Sequence, residues 1–114
     1  MKRSIARVLV LVLALTAISV PTGAGADEPQ GTETARVRIV DNRFRPRNLT
    51  VDRGTRVRWV NRGSNPHTST SNTGIWDSGT LSSGDRFSRR FGRRGTFRYH
   101  CEIHSTMTAT ITVV

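Results

Sequence analysis

One cysteine occurs in 114 residues. A lone thiol cannot close an internal disulfide, so the fold is not a disulfide-stapled scaffold, and the thiol is free for another purpose. Lysine occurs once, as Lys2, and every other basic side chain is arginine. Acidic residues are few, 8 against 18 basic ones. No apolar run reaches the about 20 residues that a membrane-spanning helix needs; the longest, Val8 to Val20, has 13. After residue 34 no stretch has a helical period, nothing repeats, and no glycine-rich phosphate loop occurs. Nor is there a pairing of nucleophile and general base suited to hydrolysis. These absences exclude a helical bundle, a nucleotide-binding loop protein and a hydrolase of the triad type.

What is present begins with Lys2, Arg3 and Arg7, then the apolar run, then Ala24-Gly25-Ala26. A basic start, a short apolar stretch and an A-x-A site predict a secretory signal peptide over residues 1–26. An uncleaved anchor is the alternative, against which the shortness of the run speaks. No cysteine lies near the cleavage site to take a lipid, and no Arg-Arg pair precedes the run. Cleavage leaves residues 27–114, enough for one small domain. That part holds 15 arginines and all 8 acidic residues, a net charge of +7 with neutral histidines. Such a charge attracts acidic proteins, anionic lipid or nucleic acid. Export removes nucleic acid from that set, and a merely solvated arginine coat is the plainer reading.

Residues 27–34 are polar, with Pro29 and Gly31, and read as a flexible N-terminal segment. From residue 35 to 114 the pattern has period two, which marks half-buried strands. Val37 and Ile39 alternate with Arg36 and Arg38; Val57 and Trp59 alternate with Arg56 and Arg58. Phe87 and Phe91 bracket Ser88 and Arg90, and Phe97, Tyr99 and Cys101 share one face. Ala109, Ile111 and Val113 alternate with threonines. Turn signals such as Asp52-Arg53-Gly54 and Ser83-Gly84-Asp85 separate these runs. The fold class is therefore all-β, an antiparallel sandwich or barrel.

The chemistry concentrates in Cys101-Glu102-Ile103-His104-Ser105-Thr106-Met107, a C-x2-H-x2-M spacing. A cysteine that only fills core needs no histidine three residues on and no methionine six residues on. A thiolate ligand does, because one tight loop then offers three donors to one ion. His67 stands apart in Asn65-Pro66-His67-Thr68, behind a proline that stiffens the approach. Two imidazoles, a thiolate and a weak axial thioether make the donor set of an electron-transfer copper site, although zinc shares the same preferences. His100 neighbours Cys101 on a strand and so points to the other face, as a surface histidine.

Together these residues resemble the cupredoxin family, in particular its small plastocyanin- and amicyanin-like members. The resemblance covers most of residues 36–114. It rests on Leu49-Thr50-Val51, Gly54, Val57-Arg58-Trp59-Val60-Asn61, Pro66-His67-Thr68, Asp77-Ser78-Gly79, the run Gly95 to Cys101, and the metal loop. It implies a Greek-key β-sandwich of about eight strands with one mononuclear copper ion at one end. The ligands it implies are His67, Cys101, His104 and Met107, with the ring edge of His104 as the electron port. Thr68 stands where such loops often carry an asparagine that ties the two ligand loops together, a bond that a threonine hydroxyl can also make. Ile103 and Ser105 flank His104 in place of the proline that amicyanin-like loops carry.

The function this implies is an exported blue copper protein, a soluble one-electron carrier and not an enzyme, working between redox partner proteins. The net charge makes an acidic partner the expectation. A copper-binding carrier or sequestration protein is the alternative, and an accessory domain docking on an oxidoreductase a third reading. The chain is expected to be a periplasmic or extracellular monomer, with no membrane span after signal cleavage.

Overall fold

Inward-facing apolar residues at every second position build two sheets that close on each other. The computed structural model describes residues 33–114. The expected signal over 1–26 and most of the 27–34 segment lie outside the described residues. Eight strands follow: β1 (Thr34–Val40), β2 (Arg43–Arg45), β3 (Asn48–Val51), β4 (Thr55–Asn61), β5 (Thr70–Ser71), β6 (Arg86–Phe91), β7 (Gly95–His100) and β8 (Thr108–Val113). They form two four-stranded sheets, ordered β2-β1-β4-β6 and β3-β8-β7-β5. The result is the all-β sandwich that the sequence pattern and the resemblance imply.

The sheets are mixed, whereas the sequence suggested antiparallel ones. β1 pairs with β4, and β3 with β8, in parallel. The cause is topological. After β2 the chain crosses to the second sheet as β3, then returns beside β1 as β4, entering at the same end. A parallel pair requires such a crossover, whereas the hairpins β1–β2 and β7–β8 are antiparallel.

Between the sheets, Val37, Ile39, Val57, Trp59, Tyr99 and Ile111 are each 1% exposed or less. Burial of such a side chain stabilises by about 1.5–3 kcal/mol in transfer terms. Trp59 of β4 meets Tyr99 of β7 edge-on at 5.5 Å, and Phe44 of β2 meets Tyr99 at 4.7 Å, so aromatic contacts lock the layers together.

On β6 one arginine turns inward. The strand's inward row is Phe87, Arg89 and Phe91, facing the inward residues of β4. The Arg89 guanidinium lies over Phe91 at 4.8 Å and over Trp76 at 5.4 Å. Burial lowers its pKa from the usual arginine value, but the group stays charged. Arg90 points outward, and Arg93 and Arg94 fall in the β6–β7 turn, at the end of the sandwich away from Cys101.

Candidate metal centre

Two loops at one end of the sandwich, following β4 and β7, meet around Cys101. The first is shaped by Asn61, the last residue of β4 and fully buried. Its amide nitrogen donates to the carbonyls of Asn65 and Leu81, both at 2.8 Å, and its Oδ1 accepts the Gly63 N–H at 2.9 Å. Every direction of that amide is used to fold the loop back. The backbone of His67 then exchanges hydrogen bonds with Leu81, at 3.1 and 2.7 Å. His67 is thereby held from both sides, and its ring is fully buried.

The second loop closes on itself. The Cys101 N–H donates to the Met107 carbonyl at 3.0 Å, and the Met107 N–H to the His104 carbonyl at 2.9 Å. These bonds draw Cys101, His104 and Met107 into one tight turn. Met107 is buried, whereas His104 is partly exposed.

Thr68 joins the two loops. Its N–H donates to Cys101 Sγ at 3.3 Å, and its hydroxyl accepts the Glu102 N–H at 2.8 Å. The hydroxyl thus makes the tie expected of it, and the N–H sets a donor against the sulfur.

Cys101 Sγ lies 3.9 Å from His67 Nδ1 and 3.8 Å from His104 Nδ1. One donor atom from each of the three residues falls within 4.8 Å of the others. A d-block ion lies about 2.0–2.1 Å from imidazole nitrogen and about 2.3 Å from thiolate sulfur. Around a trigonal ion those bonds separate nitrogen from sulfur by about 3.8 Å, so the residues fit one ion among them. Imidazole and thiolate are donors suited to copper.

Desolvation lowers the His67 pKa from its usual value, the neighbouring His104 lowers it further, and Asp41 partly opposes both. A neutral imidazole is the form that binds metal. Nδ1 is directed at Sγ, and the buried Nε2, which would carry the proton when Nδ1 binds an ion, has no hydrogen-bond partner among the described residues. Packing and the backbone bonds to Leu81 therefore hold the ring, in place of the carboxylate or carbonyl that usually orients a metal-bound histidine.

His100 faces away from Sγ, as its strand position predicts, with Nδ1 on Asn72 and Nε2 on Glu102 at 2.7 Å. Asn61 and Leu81 carry the His67 loop, and sequence reasoning singled out neither for that task. A buried asparagine ending a strand just before a Gly-Ser-Asn-Pro turn is the signal that could have found the first.

The family model described as Cupredoxin-like domain matches residues 8–113. Among solved structures, a purple cupredoxin from Nitrosopumilus maritimus is 30% identical, over 70% of this chain and 99% of its own, with a TM-score of 0.66. A singly substituted amicyanin in its oxidised form is 25% identical, over 70% of this chain and 81% of its own, with a TM-score of 0.67. Another amicyanin variant, in its reduced Cu(I) form at pH 4, is 22% identical over 78% and 94%, with a TM-score of 0.68; at that identity it shows likeness of fold alone. No curated protein matches.

Proposed function

The chain belongs to the cupredoxin-like family, and on that footing we propose that it is an exported blue copper protein, a soluble one-electron carrier holding one copper ion through His67, Cys101, His104 and Met107. The convergence of both histidine Nδ1 atoms on Cys101 Sγ, at 3.9 and 3.8 Å, is the observation that carries this reading. Copper bound there would cycle between Cu(II) and Cu(I), exchanging one electron. The residues' task is to keep the donors still. Asn61 and Leu81 fix His67, the bonds within the loop from Cys101 to Met107 fix the other donors, and Thr68 locks the loops to each other. Buried Met107 closes the set from within, and four protein ligands leave no open position for a substrate. Partly exposed His104 offers the route for the electron.

The same reading takes residues 1–26 as a cleaved export signal, residues 27–34 as a flexible segment and residues 35–114 as the copper domain, and proposes a periplasmic or extracellular monomer. No helix among the described residues is long and apolar enough to cross a membrane.

The test is an optical redox titration of the copper-loaded protein. The expected result is a reversible one-electron transition with the ion retained in both states. Release of copper to a chelator on reduction, with no reversible couple, would instead mark a protein that stores or delivers the ion.

A further inference from the structure

The outward faces of the two sheets differ in charge. On the β2-β1-β4-β6 sheet, Arg36 lies opposite Arg58, Arg38 opposite Arg45, and Arg56 opposite Arg90. Arg43 and Arg86 extend this array on the outer strands. No outward position of these four strands holds a carboxylate. The outward face of the other sheet is mostly threonine, with Arg98 and His100 on β7. Like charges directly opposite each other weaken a sheet, and a surface shaped for solubility alone intersperses the two signs.

The array reaches the metal end. A cleft of roughly 650 Å³ is lined by Arg38, Arg43, Arg45 and Arg47 together with Thr106 and Met107 of the ligand loop. Arg47 is tied to the first residue of β8, directly after that loop, with Nη2 donating to Thr108 Oγ1 at 3.2 Å and Nε to the Thr108 carbonyl at 3.3 Å. The carboxylate of the loop, Glu102, turns the other way, onto His100.

Building on the electron-carrier reading above, we propose that this arginine face and its cleft are the docking surface for an acidic redox protein. Its carboxylates enter the cleft beside Met107 and bring its redox group to the metal loop. Guanidinium groups hold carboxylates in paired, directional hydrogen bonds. A concave cleft admits a protruding acidic loop, whereas a bilayer surface is broad and flat. Interfacial membrane binding also draws on buried apolar area, and the large exposed apolar residues among those described, Ile75, Ile103 and Val114, lie outside the arginine array.

The test follows backbone amides of the Cu(I)-loaded protein by nuclear magnetic resonance during addition of a soluble cytochrome of net negative charge. A basic cytochrome and phosphatidylglycerol vesicles serve as comparisons. Amide shifts should centre on β2, Arg47 and Thr106, appear only with the acidic cytochrome, and fade above about 0.15 M salt, where the screening length is about 8 Å. Electron-transfer rates at low salt separate local docking from overall charge. R43E/R45E should slow the reaction by about tenfold or more. R93E/R94E removes the same charge at the far end of the sandwich and should change the rate by less than about threefold. Equal losses in the two double variants, shifts centred on the threonine face, or capture by vesicles without binding of the acidic cytochrome would overturn the proposal. A complex mapped to this face but transferring no electrons would support the docking surface and contradict the carrier reading, so the two failures are distinct.

Discussion

Asn61 shapes the loop that carries His67. Its three hydrogen bonds reach Gly63, Asn65 and Leu81, and the last is also the backbone partner of His67. Truncation would remove three hydrogen bonds, each contributing about 0.5–1.5 kcal/mol net. Asn61→Ala should therefore destabilise the metal-free protein by about 3 kcal/mol in chemical denaturation, and weaken copper binding because His67 is no longer held. A loss below about 1 kcal/mol would mean that the loop folds without it. At this scale the sequence was uneven as a guide. The C-x2-H-x2-M spacing packs three chemically distinct donors into seven residues and so stands out by itself. His67 stood out less sharply, by its proline-led loop and as the second imidazole that completes a copper donor set. The Thr68 hydroxyl makes the bond expected of it, but Asn61 acts through its side-chain amide on backbone groups and Leu81 through its own backbone, contacts that no spacing records.

Strand length explains which elements were legible. β1, β4, β6, β7 and β8 have six or seven residues each and show their period of two plainly. β2 and β5 have three and two residues, too few for a period to show. Arg89 follows the period of two, which puts it in line with Phe87 and Phe91, but its charge hides an inward place until the rings of Trp76 and Phe91 are seen beneath it. Pairing brings a cost that only the register reveals. Arg38 and Arg45 face each other directly, and like-charge pairs of this kind destabilise by about 0.2–1 kcal/mol. Arg45→Glu turns the pair into an attractive one, so stability should rise by about 0.5 kcal/mol. For a domain of this size that is a melting temperature higher by about 2–4 °C at low salt. A fall in melting temperature would show that the two guanidinium groups are not in contention. Gain in stability with loss of docking is the signature of a surface kept for a partner.

For the whole molecule, the sandwich separates tasks by position. One end gathers the donors, one face collects charge, and the opposite face stays nearly neutral. The alternation of arginine and valine in β1 and β4 already placed arginines on outer faces. It could not place them on one common face, because parallel pairing of strands distant in sequence was invisible before the fold. Net charge alone is therefore a weaker guide to the partner than its segregation.

All of this depends on a thiolate bound to copper, and the most direct measurement is the visible spectrum of the Cu(II)-loaded protein beside that of Cys101→Ser. A bound thiolate donates charge to Cu(II) and gives an intense visible band, whereas a serine hydroxyl is a poor substitute for a soft ligand. The expected result is a strong band in the native protein that disappears in the serine variant, with copper still held in part by His67 and His104. A native Cu(II) complex without colour, or a band unchanged in the variant, would contradict the assignment of Cys101 to the metal.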